Sequence, residues 1–438
     1  MKRFLGSLCL IVFAVGLIMA INVPLVAGAA KDQLVVYNWA DYIDLDVLDE
    51  FEAEYDVEIT YSIFDTNEIM LGTIMNDKNT SIDLICPSDY AIERMLNNSL
   101  IDEIDTSKLT NYSNVNASII TKVDDTFEDL TDSGANKKMS SYFVPYFYGT
   151  VGVLYNKKHV DKSVAEEAGY GLLWNTPNIE ALNGKILMKD SIREAYLAGL
   201  LYLKENDKLP EKYESMPLSK LINTLDDELI ELVETVFKDQ KRLLKEYEVD
   251  TGKNYMENEE AYVSLAWSGD ALYAMEQNEN LDYYVPSIGG NIWFDGWVIP
   301  KNAKNKDMAL KFIDFMLRPD IAMKNAMAVG YTSAVKEEAV RVSEDAITVL
   351  EENEFDVDEF FADTIRYPDL DNANLVLMRD FPDDSALLAM WERVKATRDY
   401  TWLWILIGSL AGAALIGLAI FFIIKNKKKR QVVEPESN

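Results

Sequence analysis

The first hundred residues alternate between short apolar runs and amphipathic stretches, and this alternation most constrains the fold. The apolar runs have the length of strands and cover residues 34–39, 57–64 and 82–87. The stretches with helical spacing of apolar residues cover 45–55, 68–76 and 91–97. Such alternation predicts a parallel sheet in an α/β fold. Ligands of these sheets bind beyond the carboxyl ends of the strands.

The rest of the chain continues the α/β pattern, and its 438 residues are enough for more than one core. Residues 139–155 predict an extended segment that carries the chain into a second lobe. Further strands are predicted at 185–188, 262–267 and 293–298, with helices at 192–203 and 307–317. We expect the charged stretch 221–247 to form one long surface helix.

Both ends of the chain are apolar. Residues 1–30 carry Lys2 and Arg3, then an apolar run that closes on small residues, which favours a cleaved signal peptide over an uncleaved membrane anchor. Residues 402–424 contain no charge and are long enough to span a bilayer. The basic tail 425–438 then predicts a cytoplasmic end. Residues 31–400 are therefore expected outside the plasma membrane, tethered by one transmembrane helix.

The composition excludes several functions. A net charge of −32 repels nucleic acid and concentrates cations, although it also suits solubility or salt adaptation. The chain has one histidine, and Cys86 is the only cysteine beyond the leader. No nucleophile–base set, metal-ligand cluster or phosphate loop is recognisable. We therefore predict no catalytic residue, no metal site and no cofactor.

The most informative chemical feature is a recurring pairing of an aromatic residue with a carboxylate. It occurs at Trp39-Ala40-Asp41-Tyr42, Asp89-Tyr90, Trp267-Ser268-Gly269-Asp270 and Trp293-Phe294-Asp295. An aromatic face attracts a cation and covers methylene groups, while a carboxylate neutralises the charge. Repeated together, these pairs predict a pocket for an organic amine.

The pairs differ in strength. Trp293 and Asp295 are two apart on a predicted strand, so both side chains point to one side, either into a site or at a surface edge. Trp267 ends a strand and favours a pocket wall, although Ser268 or Asp270 could cap the next helix.

The helix predicted at 192–203 opens with a further acidic segment. Asp190 or Ser191 fits its N-cap, and Glu194 could pair with a neighbouring basic residue such as Arg193.

Several segments together are similar to one known family. They are residues 37–42, 87–90, 107–111, 289–295, 299–306, 316–320 and 330–331. As a set, they resemble the spermidine/putrescine-binding proteins of polyamine ABC transporters. The resemblance covers about residues 33–395.

The resemblance implies a periplasmic-binding-protein fold with two α/β lobes around a central cleft. The lobes would comprise 31–143 with 294–340, and 144–293 with 341–400. Aromatic and polar walls would come from Trp39, Tyr42, Ser88, Tyr90, Trp267, Trp293 and Tyr331. Asp295 and Glu194 would bind ammonium groups. Ser191 stands where the family has another acid, and the adjacent Asp190 is a candidate replacement.

The expected function is that of a membrane-tethered, monomeric receptor that captures putrescine or spermidine. It would deliver the polyamine to an ABC permease and, through it, to the ATPase. The alternatives are a receptor for another cationic or small solute, a surface enzyme that acts through acidic residues, or a sensor ectodomain.

Overall fold

The structure is a computed structural model and describes residues 32–76, 81–132 and 135–396. The predicted leader (1–30), membrane helix (402–424) and basic tail (425–438) lie outside these residues. None of the helices within the described ranges has the length and hydropathy needed to cross a bilayer.

Each predicted strand has a counterpart in the described chain, and the structure adds strands that the sequence did not predict. The strands are β1 (Asp32–Trp39), β2 (Val57–Phe64), β3 (Leu84–Ile85), β4 (Thr131–Asp132), β5 (Ala135–Asn136), β6 (Val144–Asn156), β7 (Ile186–Lys189), β8 (Leu244–Glu248), β9 (Val263–Trp267), β10 (Leu281–Tyr284), β11 (Gly290–Trp297), β12 (Thr332–Ser333) and β13 (Leu375–Val376).

The α-helices of the same ranges alternate with these strands through much of the chain. They are α1 (Leu45–Tyr55), α2 (Asn67–Asn76), α3 (Asp89–Asn97), α4 (Ala117–Thr126), α5 (Lys162–Ala168), α6 (Ile192–Glu205), α7 (Glu211–Glu214), α8 (Leu218–Leu221), α9 (Asp227–Gln240), α10 (Gly252–Glu257), α11 (Ser268–Gln277), α12 (Lys306–Met316), α13 (Pro319–Val329), α14 (Glu337–Arg341), α15 (Glu344–Glu352), α16 (Val357–Ala362) and α17 (Ser385–Ala396).

The first sheet confirms the parallel arrangement predicted for the N-terminal residues. Its strand order is β2-β1-β3, and β1 pairs in parallel with both neighbours. Helix α1 follows β1 because Asp44 caps its first turn, and it ends where Asp56 adopts a left-handed conformation. Its apolar face, which includes Phe51, packs against the sheet and α12. The segments after β1, β2 and β3 therefore meet at one edge.

Two long antiparallel strands, β6 and β11, connect the first sheet to the second. Near the first sheet, Val298 and Asp295 form bridges to Ile85 and Ser88. The first half of β6 pairs with β11, and its second half pairs with β9 and β10. The second sheet then continues through β7 to β8, in the order β13-β11-β6-β9-β7-β8. All residues of β6 and β11 are buried, so both strands lie inside the molecule.

The single long helix predicted over residues 221–247 is wrong. The structure divides this region into the end of α8, helix α9 and strand β8. Helix α9 buries an apolar face that includes Val233 and Phe237 against α6 and α17, so it is not simply a surface helix. Strand β8 forms because β7 offers it a parallel partner. Because β8 is charged and its partner strand is distant in sequence, its sequence shows no apolar pattern that would predict a strand.

A buried lysine joins β7 to β8 and α11. The Nζ atom of Lys189 lies 3.2 Å from carboxylate oxygens of both Glu248 and Asp270. Burial lowers the pKa of Lys189, but the two carboxylates raise it more, and the net shift is upward. The lysine therefore remains a cation in the protein interior, held by two acids that would otherwise repel each other.

Replacing this lysine should destabilise the fold. We expect Lys189→Met to lower the free energy of unfolding by about 3–5 kcal/mol, because two buried carboxylates lose their cation. Urea denaturation followed by circular dichroism measures this change. Lys158→Met is the matched control, since Lys158 pairs with Glu259 at the surface and its loss should cost less than about 1 kcal/mol. Equal losses for the two variants would contradict the assignment.

Candidate functional site: an acidic, aromatic cleft

A cleft opens at the carboxyl edge of the first sheet and faces α6, α10 and α11 across from it. It holds about 800 Å³ of space not occupied by atoms, including its open mouth. Its lining consists of Trp39, Ala40, Asp41, Tyr42, Asp65, Thr66, Asn67, Ser88, Asp89, Tyr90, Ser191, Glu194, Asp250, Lys253, Trp267, Asp270, Asn291, Trp293, Asp295, Val329, Tyr331 and Met378. The segments that follow β1, β2 and β3 all contribute, because ligands of parallel sheets bind beyond the carboxyl ends of the strands.

Asp295 is the most unusual side chain of the cleft. It lies on β11 and is only 4% exposed. Its Oδ2 accepts a hydrogen bond of 2.8 Å from the hydroxyl of Tyr42, while its Oδ1 has no hydrogen-bond partner among the described residues. A buried, unpaired carboxylate oxygen is costly, so this atom is available to a donor from outside the protein.

The electrostatics of Asp295 follow from its burial. Desolvation raises its pKa to about 7, and the hydroxyls of Ser88 and Tyr42 offset only part of the increase. The negative charge of Glu194 raises the pKa further. No cationic side chain among the described residues pairs with Asp295, so a ligand cation would stabilise its ionised form.

Aromatic rings surround this carboxylate. Tyr331 packs edge-on against Tyr42 at 5.2 Å and against Trp293 at 5.5 Å between ring centroids. The close packing depends on glycine, because a Cβ at Gly269 would overlap the ring of Tyr331 and one at Gly149 would overlap Trp293. These rings offer apolar faces to methylene groups beside a negative charge.

Trp39 forms another part of the aromatic wall. Its ring packs on Phe64 at 4.6 Å, and its indole nitrogen has no partner among the described residues. The wall therefore begins at the last residue of β1.

Glu194 lies in the first turn of α6 and is 9% exposed. It accepts a hydrogen bond from the hydroxyl of Ser191. Ser191 occupies the N-cap position of α6, but its side chain does not cap the backbone of the helix. The buried guanidinium of Arg193 lies 3.7 Å from the ring centroid of Phe381 and 5.2 Å from that of Tyr90. It does not line the cleft, but its positive charge acts on Glu194. Glu194 therefore presents a carboxylate to the cleft.

Tyr90 and Glu68 continue the same side of the cleft. The hydroxyl of Tyr90 donates to Glu68 at 3.1 Å and accepts from Asn67 at 3.1 Å. Burial raises the pKa of Glu68, and repulsion from Glu194 adds to the shift. Two carboxylates thus act on each other here, and the buried guanidinium of Arg193 offsets part of their charge.

Trp267 lies where β9 ends and lines the cleft. The ammonium of Lys189 packs at 4.1 Å from the indole centroid. The ring of Trp267 therefore already contacts one protein cation, and its position fits the pocket wall that the sequence favours.

Of the sequence-predicted site residues, Asp190 is the one that the structure does not bring into the cleft. Its Oδ1 accepts a hydrogen bond of 2.8 Å from Trp391 and lies 3.3 Å from the ammonium of Lys395. Asp190 thus connects α17 to the loop before α6, and this geometry does not support it as a replacement acid. The other predicted residues all line the cleft. They are Trp39, Tyr42, Ser88, Tyr90, Ser191, Glu194, Trp267, Trp293, Asp295 and Tyr331.

Two acids of the aromatic–carboxylate pairs, Asp89 and Asp270, have defined structural roles. Asp89 accepts backbone hydrogen bonds from Tyr90 and Phe294 and so joins α3 to β11. Asp270 does not cap α11 but accepts a 3.1 Å hydrogen bond from Tyr331 and pairs with Lys189. It therefore orients one wall of the cleft.

Sequence reasoning missed the contribution of the segment after β2. Asn67 and Glu68 begin α2 at the same edge as the residues that follow β1 and β3. Applying the strand-end rule to β2 would have found them. Asp250 and Lys253 were also missed, because they lie outside every segment that carries the family resemblance and outside the predicted strands and helices.

The arrangement suits the binding of a cationic ligand. Within residues 32–76, 81–132 and 135–396, no group of histidine, cysteine or acidic residues is arranged to hold a metal ion. The cleft instead combines buried carboxylates with aromatic faces, which fits an amine that carries methylene groups.

Comparisons with known proteins agree with this geometry. Residues 46–348 match the family of bacterial extracellular solute-binding proteins. The spermidine/putrescine-binding periplasmic protein of Escherichia coli (strain K12) is 31% identical over 316 residues, covering 71% of this chain and 81% of that protein. The putrescine-binding periplasmic protein PotF of the same strain is 27% identical over 345 residues, covering 76% and 85%.

A solved structure also resembles the fold. The spermidine/putrescine ABC transporter substrate-binding protein PotD from Streptococcus pneumoniae superposes with a TM-score of 0.60 at 28% identity. The match covers 83% of this chain and 99% of that one.

The fold and the cleft are those of a mixed α/β solute-binding protein, and the chain belongs to the bacterial extracellular solute-binding protein family. The predicted resemblance to the spermidine/putrescine-binding proteins is confirmed. The protein is a binding protein and not an enzyme, so the alternative of a surface enzyme is wrong.

The burial of Asp295 predicts an unusual effect on stability. Its folded pKa is about 7, against an ordinary value near 3.8, so ionisation at pH 8 opposes folding. We expect Asp295→Asn to raise the free energy of unfolding of the ligand-free protein at pH 8 by roughly 1–3 kcal/mol.

The gain should decrease as the pH falls from 8 to 4.5, because Asp295 becomes protonated in the folded protein. Thermal unfolding at the two pH values measures the difference. A variant that is less stable at pH 8 would show that the carboxylate is compensated in the folded protein.

Proposed function

We propose that this protein is an extracytoplasmic receptor that binds a polyamine, putrescine or spermidine, in the acidic, aromatic cleft. The observation that carries the proposal is the unpaired Oδ1 of Asp295, buried among aromatic rings. An ammonium group is the ligand part that satisfies this atom and neutralises its charge. The names of the relatives support the same ligand class.

The roles of the lining residues follow from their chemistry. Asp295 binds one ammonium group and Glu194 binds another. Trp39, Trp293 and Tyr331 cover the methylene groups between them, with each cation–aromatic contact contributing about 0.5–2 kcal/mol. Further walls come from Tyr42, Ser88, Tyr90, Ser191 and Trp267.

Binding is proposed to close two lobes over the ligand. The lobes would comprise residues 31–143 with 294–340, and 144–293 with 341–400, joined through β6 and β11. Closure around a ligand presents both lobes to a membrane partner in one defined geometry. That partner would be the permease of an ABC importer, and the protein would act as a monomer.

The location follows from the two ends of the sequence. We infer that residues 1–30 direct export and that 402–424 tether the receptor to the plasma membrane, with 425–438 in the cytoplasm. The binding domain would then lie on the extracellular or periplasmic face, next to its permease.

Calorimetry tests the ligand class directly. The purified full chain in detergent should bind putrescine or spermidine and should not bind glucose, because an uncharged ligand leaves Asp295 unneutralised. Asp295→Asn should weaken binding of the preferred amine by about tenfold or more with an unchanged circular dichroism spectrum. The absence of heat with either amine would contradict the proposal and favour another small solute.

The pH dependence of binding tests the role of Asp295 separately. An ammonium group binds the ionised carboxylate, whose pKa is about 7 before binding. Lowering the pH from 8 to 6 should therefore weaken amine binding by about tenfold, since the amines themselves stay protonated. Asp295→Asn should show a flatter profile over this range. An affinity that does not change with pH in the unsubstituted protein would remove Asp295 from the site.

A further inference from the structure

Lys253 is the one basic side chain in the described lining of the cleft. It lies in α10, on the side of the second sheet, and its Nζ is 3.4 Å from Oδ2 of Asp41, which follows β1 of the first sheet. The lysine side chain is only 17% exposed, whereas that of Asp41 is 75% exposed. A protein cation therefore crosses the mouth of a cleft that is otherwise built for cationic ligands.

Successive contacts connect the charged residues of the lining in a series. Glu194 acts electrostatically on Asp295, Asp295 contacts Tyr42, and the ring of Tyr42 packs against Tyr331. Tyr331 in turn donates to Asp270. The charge of Asp270 acts on Asp250, which also lies within reach of Lys253. Glu194 and Lys253 are therefore at opposite ends of this series, with Asp295 between them.

The two ends differ in how their acids are compensated. At the Lys253 end, Asp41 pairs with Lys253, and Asp270 pairs with Lys189. Burial raises the pKa of Asp250 and Asp270 adds to it, while both lysines lower it. Asp295, in contrast, has only hydroxyl partners. Each end thus has a protein cation, Arg193 near Glu194 and Lys253 beside Asp41, but only Lys253 lines the cleft itself.

We propose that Lys253 limits the length and charge of the ligand, so that the site prefers a diamine such as putrescine to the longer triamine spermidine. This inference rests on the proposed polyamine function. A diamine reaches Glu194 and Asp295 with its two ammonium groups. The extra aminopropyl arm of a triamine would bring a third ammonium group to Lys253, where like charges repel and Asp41 is already occupied.

The test compares both amines on the full chain and on Lys253→Met, which keeps the length of the side chain but removes its charge. The unsubstituted protein should bind putrescine more tightly than spermidine. In Lys253→Met, the ratio of spermidine affinity to putrescine affinity should rise by about fivefold, since the repulsion by Lys253 is gone and the carboxylate of Asp41 becomes available to the third ammonium group.

Two further variants separate this role from others. Asp41→Asn leaves the lysine in place without its partner, so the ratio should stay the same or fall. Lys158→Met is the matched control, because it removes a surface lysine that also pairs with one carboxylate but lies outside the cleft lining. It should leave both affinities unchanged.

Several other results would overturn the proposal. An equal loss of affinity for both amines in Lys253→Met would identify the ion pair as a clamp between the two sides and would overturn the proposal. An unchanged ratio, or tighter binding of spermidine by the unsubstituted protein, would overturn it as well. If the unsubstituted protein bound neither amine, the proposed function itself would fail, and the role of Lys253 would fall with it.

Discussion

The antiparallel pairing of β6 and β11 is the constraint on which the rest of the structure depends. These fully buried strands belong to both halves of the molecule, because one end of the pair contacts the first sheet and the other continues into the second. Asp295 lies on this pair, beside its irregular register and opposite Ser88. A carboxylate on a buried strand cannot move out to water, so its charge must be met by a partner that enters the cleft.

The molecule treats its buried charges in two contrasting ways. Lys189 is placed between Glu248 and Asp270, so this group is compensated without a ligand. Asp295 receives only hydroxyl hydrogen bonds, which offset only part of the increase in its pKa that burial causes. The first arrangement supports the fold, and the second retains binding energy for a ligand at some cost to stability. Lys253 is a third case, because it pairs with Asp41 and also lines the cleft.

Much of the fold and of the site could be predicted because the signals were local. Strands β1 and β2 and helix α1 have periodic apolar patterns, and Trp39, Tyr90 and Asp295 follow or lie on strands. The failures share one cause. Strand β8, the outward contact of Asp190 with Trp391 and the ion pair of Lys253 with Asp41 all join residues that are distant in sequence. Such contacts leave no periodic pattern to read.

The sequence by itself determined the α/β class, the strand ends that build the cleft and the residue types that suit an amine, because backbone periodicity and side-chain chemistry are local properties. Only the tertiary structure decided which carboxylates are compensated. Asp270 and Asp41 meet lysines, Asp190 meets a tryptophan and a lysine outside the cleft, and Asp295 keeps an unpaired oxygen. Burial and the approach of charges depend on packing across the whole chain, and these set the free energy of each ionised group.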